Sequence, residues 1–396
     1  MLATHPIQYQ TPLWRYLAAD KSVDVHVFYG SDLSVRGYRD AGFGVQVRWD
    51  GPMLKGYRHT FLNSGPSAGA LTFGWPRATG LFRHFREFEP DVVLLTGYFA
   101  RFWFEALMVS RSLGVPIVMR HEASDVAVAR SRWKARVRLV VVRSVYSQIH
   151  RFAAIGTSAR EHLLAHGVAP ARIGWAPYCV DSEALEGQVQ TWLPQRAALR
   201  STMGIAPTDL AIVFSGKLID KKHPLLIPRA LACLPPMVLS RVHLLVMGDG
   251  EQRSELVAQA TAILGNRLHM AGFVNQSELG RWYAAADCLV LPSRQGAGET
   301  WGLVVNEALQ FGLPAIVSAG VGCHRDLVIE NETGNVFADS SAEELAGILA
   351  KFATLSDVEW IAYRQKSRAR AQIFSMASAG QGLLTELKKT AASGNR

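Results

Sequence analysis

Four cysteines in 396 residues, Cys179, Cys233, Cys288 and Cys323, form no C-x-x-C pair. That spacing indicates neither a zinc site nor a disulfide framework, and a reducing, cytoplasmic setting is the expectation. No apolar run approaches the ~20 residues that span a bilayer, and the first residues lack a signal-peptide pattern. Met1-Leu2-Ala3-Thr4 reads instead as part of a first strand, with a residue or two of that strand expected upstream. Acidic residues are scarce in one half only. Residues 1–200 carry 24 Lys and Arg against 15 Asp and Glu, whereas residues 201–396 carry 18 of each, so the net charge of +9 lies wholly in the first half. That asymmetry turns one half toward something anionic. No nucleic-acid recognition motif accompanies it, so nucleic acid is not an expected partner.

What is present has the length of two domains. Apolar stretches at 23–29, 92–96, 115–120 and 152–156 read as buried parallel strands. Helical patterns separate them at 12–19, 101–113 and 132–150, and 171–177 reads as a last short strand. A second series follows, with strands at 210–214, 242–247, 267–271, 288–291, 315–318 and 335–337. Helices are expected between them at 224–234, 251–264, 276–286, 302–311 and 342–353. Repeated βα units imply an α/β fold of two doubly wound, Rossmann-like parallel-sheet domains facing a cleft. The expected boundaries are 1–182, an inter-domain passage at 183–207, a second domain at 208–356 and a helical tail at 357–396.

The most informative stretch is Glu299-Thr300-Trp301-Gly302-Leu303-Val304-Val305-Asn306-Glu307. It follows a strand and a polar, glycine-rich loop, so Gly302 stands where a helix begins. A helix start offers unpaired N–H groups and the positive end of a dipole, a site suited to phosphate. Carboxylates just before the helix and about two turns in suit hydroxyl groups on either side of that phosphate. A sugar nucleotide has this layout. The stretch resembles the Glu-x7-Glu signature of retaining glycosyltransferases of family four, the glycosyl transferases group 1 with the GT-B fold, commonly written E-x-F-G-L-x-x-x-E-A. Trp301 stands for the Phe, and Ala308 follows the second Glu.

The resemblance extends over the second half and implies that the tail at 357–396 packs back on the first domain. Gly216-Lys217-Leu218 followed by Lys222 is similar to the family's G-R-L and K-G elements, with Lys217 at the arginine position and His223 in place of the last glycine. It implies that Lys217 and Lys222 neutralise the donor diphosphate, although lysine lacks arginine's bidentate fork. Gly248-Asp249-Gly250 resembles the family's tight turn near the nucleotide. As a dinucleotide fingerprint it is weak, since Arg253 stands at the third glycine. Gly272 and Phe273 resemble the loop facing the nucleobase, and Phe273 either stacks or plugs the core. The resemblance also implies that Thr300, Trp301, Gly302 and Leu303 offer backbone N–H groups to the diphosphate, that Glu299 touches the donor sugar and that Glu307 holds the ribose hydroxyls. No Asp-x-Asp occurs, so no metal and no cofactor are expected, and activity is expected without a divalent ion.

His121, at the end of a first-domain strand and followed by Glu122, resembles the family histidine that faces the reacting sugar. It is the catalytic candidate beside Glu299. His5 also faces the expected cleft, but His5-Pro6-Ile7-Gln8-Tyr9-Gln10 replaces the family's glycine-rich loop. A second departure is Pro177-Tyr178-Cys179-Val180-Asp181, where relatives read P-N-G-V-D. Arg130 to Arg151 holds seven basic residues and no acidic one, with Trp133, Val137, Val140 and Val141 at roughly helical spacing. It reads as an element lying on an anionic membrane surface or as a core helix with a heavily charged outer face. Of Tyr98, Phe99, Phe102, Trp103 and Phe104, most are expected in the core and some against acceptor sugars.

The resulting expectation is a hexosyl-transferring, retaining enzyme. It would take a nucleotide-sugar donor and a glycan or lipid-linked glycan acceptor, in cell-surface polysaccharide or glycolipid assembly. It would be cytoplasmic or peripheral on the inner face of the cell membrane. The alternatives are a nicotinamide-dependent Rossmann enzyme and a non-catalytic sugar-nucleotide binder.

Overall fold

The computed structural model describes residues 1–40, 42–65, 71–122 and 132–394. Fifteen strands occur among them. In chain order they are β1 (Leu2–Ala3), β2 (His26–Tyr29), β3 (Tyr38–Arg39), β4 (Gln46–Val47), β5 (Arg58–Phe61), β6 (Val93–Leu95), β7 (Ile117–Met119), β8 (Arg151–Ala154), β9 (Ile173–Trp175), β10 (Leu210–Ser215), β11 (Val242–Met247), β12 (Leu268–Gly272), β13 (Cys288–Leu291), β14 (Ala315–Ser318) and β15 (Gly334–Phe337). Seven form a parallel sheet in the order β5-β2-β1-β6-β7-β8-β9, and six form a second in the order β12-β11-β10-β13-β14-β15. The antiparallel pair β3-β4 stands apart. Two Rossmann-like sheets of this kind constitute the GT-B fold.

Strand periodicity distributes the first core. Val93 and Leu95 of β6 and Ile117 and Met119 of β7 belong to one apolar cluster, with Leu81, Phe85 and Phe102. Leu94 and Val118, one residue out of step, belong to the cluster on the opposite face. There they meet Leu13 and Leu17 of the helix Thr11–Ala19 and Leu383, Leu384 and Leu387 of the last helix, Met376–Gly394. In the second sheet every residue of β10, β11, β13 and β14 is buried, as parallel strands covered on both sides require.

Strand order reverses between β1 and β6 in the first sheet and between β10 and β13 in the second. Ligands of doubly wound sheets bind outside the carboxyl ends at such switch points. The loop 5–10 leaves β1 and carries Tyr9 to the second domain, and the turn 216–222 leaves β10 and carries Lys217 to the first. Neither β5 nor the helix in the inter-domain passage was expected from sequence. β5 is a polar edge strand, Arg-His-Thr-Phe, without an apolar run. The passage between the sheets carries the helix Ser182–Trp192, capped by the Asp181 side chain accepting from Ala184 N at 3.2 Å. The tail is two helices. Asp357–Ile373 packs along Leu303–Gln310, and Met376–Gly394 packs on Thr11–Ala19, β8 and β9 of the first domain.

No helix among the described residues is long and apolar enough to cross a membrane.

Candidate functional site

β13 ends in the loop Pro292–Gly298, and the helix Leu303–Gln310 begins at Gly302, whose φ is +102°. A side chain at Gly302 would be strained there and would bring a Cβ to 3.0 Å from Val321 and 3.1 Å from Leu291. The first helical N–H groups have no intrahelical acceptor; Val305 N reaches back to Gly302 O at 3.0 Å. Glu299 lies just before this end and is 7 % exposed. Its Oε2 pairs with Lys222 Nζ at 2.5 Å and accepts from Ser293 Oγ at 3.2 Å. Burial pushes its pKa up, but Lys222 and Lys221 outweigh it and hold the carboxyl below its ordinary range. Lys221 Nζ donates to Gly298 O at 2.8 Å. Two ammonium groups thus flank the loop that leads into the helix. His223, next in sequence, has φ +49°, a conformation natural to the glycine it replaces.

Glu307 lies about one turn inside the helix and is 2 % exposed. Its Oε2 accepts from Tyr283 OH at 2.8 Å and its Oε1 from Tyr9 OH of the first domain at 3.0 Å. Burial raises its pKa against the opposing effect of these hydroxyls.

The ends of β10, β11 and β12 are tied together. Gly216 N donates to Met247 O at 2.9 Å and Gly248 N to Gly272 O at 2.7 Å. A Cβ on Gly250 would lie 2.5 Å from Leu218 O and 2.9 Å from Gly42 O, so this glycine admits the backbones of both domains. Lys217, beside this turn, pairs with Asp40 of the first domain at 2.7 Å and lies 5.0 Å from the Phe43 ring. Phe273 neither plugs the second core nor stands alone: its ring meets Phe43 at 5.1 Å and Trp49 at 5.7 Å, both from the first domain.

On the opposite wall, β7 runs into Arg120, His121 and Glu122. Glu122 Oε2 accepts from Thr300 Oγ1 at 2.7 Å, and Tyr178 OH donates to the other oxygen. His121 Nε2 is 2.8 Å from Tyr146 OH, which is 2.9 Å from His162 Nε2. Among the described residues His121 Nδ1 is buried without a hydrogen-bond partner. Burial, reinforced by His162, pushes the His121 pKa down to about 3, so the ring is neutral at pH 7. A neutral imidazole can exchange hydrogen bonds with a sugar hydroxyl. His5 Nδ1 is 3.0 Å from Thr4 Oγ1, and burial takes its pKa to about 4. Trp301 turns its side chain away from the helix end. It is 2 % exposed, donates to Asn306 Oδ1 at 2.8 Å and packs against Tyr178 and Phe374. Leu303 is half-buried at the first helical position.

Tyr9, Tyr283, Asp40 and Glu122 were absent from the sequence-derived donor site. Only Glu122 had a signal, its position after His121.

The basic stretch divides. Arg130 lies outside the described residues. The helix Arg132–Tyr146 exposes Trp133, Val137, Val140 and Val141, and among its described side chains Val142 and Tyr146 are buried. Arg151 belongs to β8 and pairs with Glu386 of the last helix at 2.5 Å. In the aromatic cluster Phe102 and Trp103 are buried, whereas Phe99 and Phe104 are exposed.

Residues 6–179 match the Glycosyl transferase 4-like domain, and residues 195–371 match Glycosyl transferases group 1. Over 168 residues the chain is 31 % identical to a D-inositol 3-phosphate glycosyltransferase of Xylanimonas cellulosilytica, covering 41 % of this chain and 38 % of the relative. Over 253 residues it is 27 % identical to the sulfoquinovosyl transferase SQD2 of Arabidopsis thaliana, covering 63 % of this chain and 46 % of that one. The chain thus matches about two fifths of the length of such curated relatives. Anabaena Alr3699/HepE in complex with UDP superposes with a TM-score of 0.72 at 16 % identity, covering 98 % of both chains. WaaG, a glycosyltransferase involved in lipopolysaccharide biosynthesis, superposes with a TM-score of 0.63 at 17 % identity and the same coverage.

Proposed function

The chain belongs to the group 1 glycosyl transferases, and from that premise we propose that it moves a sugar from a nucleotide-sugar donor to a glycan or lipid-linked glycan acceptor with retention of configuration. Residues 208–356 form the donor side and residues 1–182 the acceptor side. The observation that carries the reading is the set around one helix end: the Lys222–Glu299 pair at its mouth, Gly302 opening it and Glu307 inside it.

In this reading the diphosphate lies at the N–H groups of Thr300, Trp301, Gly302 and Leu303. Lys222 and Lys217 stabilise the charge that builds as the diphosphate leaves. Glu299 accepts from donor-sugar hydroxyls and Glu307 from the ribose. Neutral His121 orients a hydroxyl on the opposite face. The leaving phosphate helps to deprotonate the acceptor, so no separate carboxylate base is assigned. Lysines and a helix dipole occupy the role a divalent metal fills elsewhere, and we assign no metal or cofactor.

UDP and UDP-glucose are bound by Anabaena Alr3699/HepE, which makes UDP-glucose the first donor to try. The exposed Trp133, Val137, Val140 and Val141 beside basic residues support a peripheral seat on an anionic membrane, and a cytoplasmic location agrees with that seat. The test is to follow nucleoside diphosphate release from UDP-, GDP- and ADP-sugars with and without chelator. Release that persists in chelator is expected. Full loss restored by manganese overturns the metal-free mechanism, and no release from any sugar nucleotide overturns the activity. Sedimentation with anionic vesicles at low salt tests the membrane seat, and absence of binding refutes it.

A further inference from the structure

The loop after β1 differs from the family's glycine-rich loop, and it carries Tyr9 across the cleft. The loop is fixed by its own bonds: Ser34 Oγ donates to Pro6 O at 2.6 Å, and Gln10 N and Thr11 N donate to Ile7 O at 2.9 and 3.0 Å. From this base Tyr9 OH donates to Glu307 Oε1 at 3.0 Å, while Tyr283 OH holds Oε2 at 2.8 Å. The two tyrosines differ in one respect. Tyr283 shares a domain with Glu307 and stays beside it through any domain movement. Tyr9 belongs to the other domain and would go with it if the two separated.

We propose that Tyr9 is a positioning residue for the donor: it holds the Glu307 carboxylate from the opposite domain, so that the ribose is gripped fully only when the two domains are closed. The inference rests on the reading that Glu307 takes the ribose hydroxyls. Two of the four lone pairs of the carboxylate go to the tyrosines and Gln276 also reaches it, which leaves at least one for a ribose hydroxyl. The electrostatics support the same role. Glu307 is buried, which disfavours its charge; Tyr283 from its own domain, Tyr9 from the first, Gln276 and the more distant Lys222 oppose that. Taking away the Tyr9 hydroxyl removes a donor to the charged form, so Glu307 takes up a proton at higher pH.

The test is calorimetric titration of UDP, GDP and ADP into the full chain from pH 5.5 to 8. It compares wild type, Tyr9→Phe, Glu307→Gln and the double variant. Tyr9→Phe keeps the ring and removes one hydrogen bond to a charged group, so about tenfold weaker binding is expected. The pH below which affinity falls is expected to move upward. In the Glu307→Gln background Tyr9→Phe is expected to cost much less. Wild-type affinity and an unmoved pH midpoint in Tyr9→Phe overturn the proposal, as does an equal loss in the Glu307→Gln background. Failure of wild type to bind any of the three nucleotides instead overturns the sugar-nucleotide reading on which the proposal stands.

Discussion

Asp40 and Lys217 meet across the cleft at 2.7 Å, one from each domain. The carboxylate is preset by its own backbone, because Asp40 Oδ1 also accepts from Gly42 N at 2.8 Å and Phe43 N at 3.0 Å. Burial raises the Asp40 pKa, but the Lys217 ammonium and these bonds outweigh it, and the group stays ionised well below neutral pH. A diphosphate placed at the end of β10 therefore contends with a fixed carboxylate for one ammonium.

Asp40→Asn is accordingly expected to tighten nucleoside diphosphate binding. The Lys217 side chain is about a third exposed, so solvent screening limits the gain to about 0.5–1 kcal/mol, or roughly two- to fivefold. The gain should shrink as ionic strength rises. Titration at low and at high salt checks both points; weaker binding in Asp40→Asn counts against the competition.

The Lys222–Glu299 pair is more deeply buried, with side chains 15 % and 9 % exposed. Lys222→Ala leaves the buried Glu299 carboxylate with only Ser293 and the nearby Lys221 to offset its charge, at a cost of about 3 kcal/mol. Adding Glu299→Gln should recover much of that stability without restoring turnover. Urea unfolding of the three variants measures it, and additive losses would show that the two side chains act independently.

Gly156 packs against Trp301: a Cβ there would fall 2.2 Å from the indole and 2.8 Å from Asp326 Oδ2. Gly156→Ala should cost about 1–3 kcal/mol by overpacking and weaken donor binding by displacing the residue before Gly302. Replacing Trp301 with Phe in the same chain should relieve part of the loss. Unchanged melting temperature in Gly156→Ala would contradict this close fit.

The pH dependence of stability follows from buried histidines. His121 and His5 have folded-state pKa values lowered to about 3 and about 4 from an ordinary 6.5, chiefly by burial. A depressed value means the unfolded chain binds protons first, so their contribution is complete above 6.5 and is lost as pH falls toward those values. Urea midpoints between pH 4 and 7.5 should decline on the acid side, and His121→Asn should flatten that decline. An identical acid limb in the variant would refute the assignment.

Much of the wall around Glu299 and Glu307 was legible as local structure because its signals are local. A buried strand, a polar loop, a glycine and a helical run around Glu299 and Glu307 declare themselves within twenty residues. The contacts reaching it from the other domain were not. Tyr9 and Glu307 are 298 residues apart, and no period or spacing links them; the same holds for Asp40 with Lys217 and for Phe273 with Phe43. β5 was missed because an edge strand needs no continuous apolar run. The helix Ser182–Trp192 was read as passage although Asp181-Ser182-Glu183 carries an N-cap signal. Arg151 looked like part of a basic surface because sequence does not display its partner, Glu386 in the last helix.

The account turns on a diphosphate held at the mouth of the helix Leu303–Gln310, with Glu307 on the ribose. Calorimetric comparison of wild type with Glu307→Ala, using UDP, GDP and ADP, tests it most directly. The account predicts that wild type binds at least one of the three and that Glu307→Ala binds it at least tenfold more weakly. Equal affinity in the two proteins would contradict it.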